Sequence, residues 1–143
     1  MTILQPIIDN VYQPSMAGTI AELAEVILEE LEFSGESIAI EDAKKSIIDH
    51  AVLYAGWQSL HMQKQSTQPI KVDEDFELEL GEWSILEPIV RAHLELIHSK
   101  RVDGSGAIAG ERTGKDPITA ATDYNTAKAE LGKNAFCEEV FSV

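Results

Sequence analysis

Thr19-Ile-Ala-Glu-Leu-Ala-Glu-Val-Ile-Leu-Glu-Glu-Leu31 starts as a helix should and carries its apolar residues at helical spacing. Thr19 and Glu22 make a capping box, in which the hydroxyl accepts a backbone N–H while Glu22 reaches back to the cap. At about 100° per residue, Ile20, Ala24, Ile27 and Leu31 fall in one stripe. Glu22, Glu25, Glu29 and Glu32 fall on the other side, so the expected helix has one buried face and one acidic face. Ser34-Gly35 ends it.

The neighbouring stretches extend the helical reading. Residues 41–60 predict a second helix, with Ile47, Ile48, Ala51, Tyr54 and Ala55 on one face and Val52, Leu53 and Leu60 elsewhere, hence a central helix with Gly56 as a candidate kink. Ser84-Ile-Leu-Glu87 is a second capping-box pattern, with Pro88 expected in the first turn. It predicts a third helix ending at Lys100 and Arg101, whose core stripe is Ile85, Ile89, Ala92 and Leu96, flanked by Leu86, His93 and Ile97. Asp116 and Pro117 predict the cap and first residue of a weak, Ala-rich fourth helix ending near Gly132.

Between and around these helices the pattern changes. Residues 1–18 read as an extended arm broken by Pro6, Pro14 and Gly18, and His61 to Pro69 as a polar loop. From Val72 to Leu80 apolar and acidic residues alternate, which predicts a short strand stopped by Gly81. Such a strand needs a partner, whether Ile70–Val72, a terminal arm or another subunit. Residues 103–117 hold four glycines and read as a long loop. The end, Ala135-Phe-Cys-Glu-Glu-Val-Phe-Ser-Val143, reads as an apolar, extended tail. The expected fold is therefore mainly α: a small helical bundle with a short extended segment, a long Gly-rich loop and an extended C-terminal tail. Its divisions are an arm (1–18), a helical core (19–102) and a loop, late helix and docking tail (103–143).

Composition bounds the function. The 143 residues suit one domain, and 44% hydrophobic content argues against disorder throughout. No stretch approaches the ~18 apolar residues of a membrane span, and the start lacks the basic region of a signal peptide. Cys137 stands alone, so it cannot form a disulfide within the chain. The net charge of -14 is unevenly placed: residues 1–43 contain acidic side chains and no Lys or Arg. Nucleic-acid binding needs cations to displace counterions from phosphates, so direct binding is not expected. An acidic surface leaves three readings open: solubility, a wall that repels nearby DNA, or an imitation of DNA.

Motifs for chemistry fail one by one. Gly114-Lys115 resembles the end of a phosphate-binding loop, but Gly110 is one residue too close and Asp116 replaces the Ser or Thr that would hold magnesium. His50, His61, His93 and His98 lack zinc-ligand spacing, and His93 reads as a hydrogen-bonded core residue. Asp49-His50 has no motif-supported nucleophile in Ser46 or Ser59. Glu138 and Glu139 would raise the Cys137 thiol pKa. The run Asp73, Glu74, Asp75 lacks the glycine turn and final Glu of a calcium loop. No catalytic residue, metal or cofactor is assigned. The positive feature is the tail: Phe136, Val140, Phe141 and Val143 are too apolar for a free end and are expected to dock on a partner or pack as a last strand.

An arm, an acidic bundle of 19–31, 41–60 and 84–101, a Gly-rich loop, a late helix and an apolar end at 136–143 together resemble the head-to-tail adaptor (connector) proteins of tailed bacteriophages. The resemblance implies a homo-oligomeric ring, often twelve-fold, below the portal protein and next to tail-side connector proteins in the virion. It implies C-terminal tails that insert into the portal, and a channel through which DNA passes without specific binding. The segment at 72–80 has no clear place in such a bundle. The rival expectation is an acidic DNA mimic that inhibits a nucleic-acid-binding protein through Glu22, Glu25, Glu29, Glu32 and the 73–79 run.

Overall fold

The computed structural model describes Leu4 and residues 15–31, 38–104 and 116–141, with residues 103–104 and 134–141 described by backbone alone. The elements are β1 (Met16–Thr19), α1 (Ile20–Leu31), α2 (Ile40–Ala55), α3 (His61–Gln65), β2 (Glu77–Glu79), α4 (Leu80–Gly104) and α5 (Pro117–Phe141). The mainly helical expectation holds. α1 packs on α2, α2 on α4, and α4 on α5, with α5 also touching α2.

The first capping box forms as the sequence predicts. Thr19 Oγ1 accepts the Glu22 N–H at 3.2 Å, and Glu22 Oε1 accepts the Thr19 N–H at 3.4 Å. Ile20, Ala24 and Ile27 are buried, joined by Leu23, while Glu22, Glu25 and Glu29 are exposed. The alternating segment becomes strand only at Glu77–Glu79, where Phe76 and Leu78 point into the core and Glu77 faces out. Of its three candidate partners, it takes the N-terminal arm. β1 and β2 are antiparallel, and the last part of the predicted arm is therefore strand. The register pairs Met16 with Glu79 and Gly18 with Leu78, an irregularity that Gly18 accommodates at φ 137°, where a side chain would be strained. Beyond the ladder, the N–H groups of Ile20 and Ala21 donate to the carbonyls of Phe76 and Glu74, so the first turn of α1 is satisfied by chain some fifty residues away.

Five boundaries differ from the sequence reading, one being that α4 runs through Gly104, past the predicted end at Arg101 and into the start of the predicted loop. α2 stops at Ala55 instead of running to Leu60; Gly56 is its cap, not a kink, and the chain turns through Trp57 and Gln58, whose N–H groups donate to the Tyr54 carbonyl. The predicted loop from His61 begins instead with α3. The third helix starts at Leu80 and not Ser84, because Glu82 reaches back to the Glu79 N–H at 2.8 Å and makes the acidic half of a capping box there. Pro88 consequently lies inside α4. It is tolerated because Pro88 and Ser84 are both exposed, so water can take the carbonyl that the ring leaves unpaired. The late helix does not end near Gly132; α5 continues through Phe141, which replaces the extended tail with helix. Gly132 is there for contact: a Cβ on it would stand 2.8 Å from the Trp57 ring.

The core is also larger than residues 19–102. Ile20, Ile27, Ile47, Tyr54, Phe76 and Leu78 form one cluster with Leu86, Val90 and Leu94 of α4, and Leu131 of α5 is fully buried in it. The α4 face is turned from the predicted stripe. Ile89 is in the cluster, but Ile85 and Ala92 are only half-buried, and Leu96 is buried outside it. The turn follows from α4 being covered on two sides, by α2 and by α5. Ala120, Tyr124, Ala127 and Leu131 recur at 3–4 residue spacing and supply the α5 side of that contact. Residues 105–115, most of the predicted Gly-rich loop, lie outside the described residues.

Candidate functional site

Of the predicted docking residues, Phe136, Val140 and Phe141 sit on the last turns of α5; their side chains, and Val143 altogether, lie outside the described residues. Glu22, Glu25 and Glu29 share the exposed side of α1, and Glu32 lies outside the described residues. The acidic face is partly engaged. Glu22 Oε1 also accepts the Thr19 hydroxyl at 3.0 Å, and the adjacent Glu30 pairs with Arg91 of α4. The 73–75 run is solvated on one side and tied on the other: Glu74 holds Lys44 at 2.8 Å, and Asp73 accepts the Asp75 N–H at 3.0 Å. Among the described residues, no group of three or more His, Cys, Asp or Glu side chains is placed to hold a metal ion.

Between the end of α2, α3 and the segment leading to β2 lies an open, mostly apolar groove of about 440 Å³. Leu60 and Phe76, both buried, form its floor; Val52, Gln63, Ile70 and Val72 form its sides. Val52 is 54% exposed and Ile70 37% exposed, so the groove presents bare apolar surface to water. Its rim is mixed in charge: Asp73 adjoins Val72, and Asp75 and Glu77 adjoin Phe76. The first 99 residues contain five cations, Lys44, Lys45, Lys64, Lys71 and Arg91. Lys44, Lys45 and Arg91 hold Glu74, Asp49 and Glu30 respectively. Lys64 and Lys71 hold no carboxylate among the described residues, and each adjoins a residue that lines the groove.

The most structured polar site was only half visible in the sequence. Ser46 and His50 of α2, His93 of α4 and Tyr124 of α5 meet where the three helices join. The His50 Nδ1–H donates to the Ser46 carbonyl at 2.6 Å, which leaves Nε2 to accept the Tyr124 hydroxyl at 2.9 Å. The Ser46 hydroxyl donates to His93 Nδ1 at 2.7 Å. With both imidazoles neutral, this pattern puts the His50 proton on Nδ1 and the His93 proton on Nε2. The rings pack closely, His50 on His93 at 5.0 Å and His93 on Tyr124 at 4.9 Å between centroids. Burial pushes the His50 pKa down, and burial together with His50 pushes His93 down to about 4. Burial pushes the Tyr124 hydroxyl up.

A Ser–His pair at 2.7 Å has the spacing of a nucleophile and its base. Ser46 is 1% exposed, however, so no substrate carbonyl can approach its oxygen. What the arrangement does is tie α2 to α5 and to α4 through directional bonds, with His93 of α4 packed on the Tyr124 ring. His93 is thus a hydrogen-bonded residue, as its apolar flank suggests. Ser46 and His50 occupy the stripe Ala43, Ile47, Ala51, Tyr54 at helical spacing, so their burial could have been read; Tyr124, 74 residues on, offered no signal.

A second buried polar group does similar work. Glu82 is 4% exposed and accepts two N–H groups, that of Glu79 at 2.8 Å and that of His61 at 2.6 Å. One carboxylate therefore caps α4 and α3 together, and burial pushes its pKa up. Arg101 makes the third tie, holding both oxygens of Asp42 at 2.6 and 3.0 Å; the Arg101 guanidinium holds the Asp42 carboxyl below its usual range.

No protein-family model, no curated protein and no solved structure matches the chain.

Proposed function

We infer that this chain is a structural assembly protein of the head-to-tail adaptor kind, forming a ring at the neck of a virion and docking on other chains through the end of α5. One observation carries the reading. Positions 120, 124, 127 and 131 face the bundle, and α5 continues as helix through Phe141. Helical register then puts positions 136 and 140, one turn apart, about 170° round the helix from that face. Positions 136 and 140 are therefore out of register with the core-facing positions of α5. An apolar pair on that side suits a partner chain.

The acidic outer side of α1 supports the second half of the proposal, a conduit wall from which phosphates are repelled. The same exposed Glu22, Glu25 and Glu29 favour a second reading, a DNA mimic. Truncation after Lys133 separates the two. The shortened chain should keep its helical signal and fail to enter particles or higher assemblies, while Glu25→Gln with Glu29→Gln should leave assembly intact. Normal assembly without residues 134–143 would overturn the adaptor reading. Loss of activity against a nucleic-acid-binding protein in the double Gln variant would replace it with the mimic.

A further inference from the structure

The short helix α3 reads His61-Met-Gln-Lys-Gln65, and none of its residues is fully buried. Met62 is its one apolar residue, half-buried and packed against the core cluster. The sulfur makes a second contact: Met62 Sδ accepts the Glu77 N–H at 2.9 Å. Among the described residues the sheet has two strands, and Glu77 of β2 lies opposite Thr19 of β1. Since the Glu77 N–H goes to Met62, the thioether covers the edge of β2 that β1 leaves open. We propose that Met62 is an oxidation site, and that conversion of its thioether to a sulfoxide by a peroxide releases α3 from the edge of β2.

The step needs one peroxide and no other reactant. A sulfur lone pair attacks a peroxide oxygen, and the S–O bond forms as the O–O bond breaks. The displaced hydroxide takes the proton of the transferred hydroxyl and leaves as water. Sulfur loses two electrons and the peroxide gains them. A methionine sulfoxide reductase reverses the change, drawing two electrons from a dithiol, which becomes a disulfide while the oxygen leaves as water. Met62 is half-buried and its bond to Glu77 lies at the surface, so a small peroxide reaches the sulfur.

The position of the sulfur gives the added oxygen its effect. A thioether is a weak acceptor to begin with. In the sulfoxide one lone pair is spent on oxygen and the sulfur carries partial positive charge, so it repels the Glu77 N–H. The oxygen also needs room, and the sulfur already stands at contact distance from that nitrogen. The side chain becomes polar, and with that α3 loses the one apolar side chain it lays on the core. A five-residue helix does not persist in water on its own backbone bonds. Its start remains tied, because Glu82 accepts the His61 N–H at 2.6 Å. Release therefore opens α3 from its far end and bares a strand-edge donor on β2.

The chain has three methionines, Met1, Met16 and Met62. The full-length protein carrying Cys137→Ser, so that no thiol consumes the oxidant, is treated with dilute hydrogen peroxide. Peptide mass mapping should find one added oxygen at Met62 while the chain is folded. Hydrogen exchange at the Glu77 amide should rise about two- to tenfold, the range for losing one hydrogen bond of ordinary or weak strength. Methionine sulfoxide reductase with a dithiol should return that amide to its first rate. In Met62→Leu, which keeps an apolar side chain on the core and removes the acceptor, peroxide should change nothing further at Glu77. A Met62 that resists peroxide in the folded chain but reacts in urea overturns the proposal. So does a complete sulfoxide at Met62 with Glu77 exchange unchanged, or a peroxide response at Glu77 that survives in Met62→Leu.

Discussion

Lowering the pH from about 7 to about 4.5 is expected to loosen α5 through the histidine junction. His93 has a folded-state pKa of about 4 against an ordinary 6.5, and His50 is depressed in the same direction. The unfolded chain therefore takes up these protons first, so the stability they contribute is complete above 6.5 and is lost as the pH falls towards 4. In a dry interior the His93 difference would be worth about 3 kcal/mol. The ring is half-buried and screened by water, which reduces the expectation to about 1–2 kcal/mol. The surrounding charges act on both sides: Asp49 favours the protonated rings, while Lys45, Lys100 and Lys128 oppose them. Two other effects run the opposite way. Glu82 has a raised pKa, so its protonation favours the folded chain as the pH falls, and titrating the carboxylates relieves the repulsion of a chain at -14. The comparison must therefore be with a variant. His93→Asn keeps an acceptor for the Ser46 hydroxyl and removes the proton site. Urea midpoints across this range should fall about 1–2 kcal/mol further for the unchanged chain than for His93→Asn. Parallel curves would refute the idea that the junction is a titrating lock.

The remaining expectations concern packing and caps. Leu131→Ala removes a fully buried side chain and should cost about 2–5 kcal/mol by urea denaturation; an unchanged midpoint would return α5 to the status of an appendage. Glu82→Gln replaces one of two accepting oxygens with a donor facing an N–H, and should cost about 1–3 kcal/mol, with hydrogen exchange rising at the starts of both α3 and α4; a rise at only one would break the shared cap. Gly132→Ala adds about 1 kcal/mol of helix propensity but forces the half-exposed Trp57 ring aside, so stability should change by less than about 1 kcal/mol while Trp57 emission shifts red. An unshifted emission spectrum would mean the two do not touch in solution.

The helical class and the α1 face were legible because their residues repeat at 3.6 spacing. The cap rule was read too narrowly. Thr19-x-x-Glu22 forms in full, but α2, α3 and α4 start on Ala39, Leu60 and Glu79, where Asp42, Gln63 and Glu82 reach back to the cap N–H without any hydroxyl in return. A search for Ser or Thr finds Ser84 instead, whose hydroxyl only donates to the Gly81 carbonyl. Gly132 misleads for a related reason: propensity marks it as a stop, and contact with Trp57 makes it an approach. The groove and the histidine junction were hidden because each joins residues from distant segments, and nothing local ties Tyr124 to His50.

The β1–β2 ladder has a consequence for how the protein comes off the ribosome. β1 and the first turn of α1 find their partners only at residues 74–80. Until those residues emerge, α1 can pack on α2 but lacks its sheet anchor. The first helix to be synthesised thus completes its N-terminal hydrogen bonds only after the chain has reached residue 80. During that interval the exposed Glu22, Glu25 and Glu29 give the emerging chain a charged face, and like charge opposes association between copies.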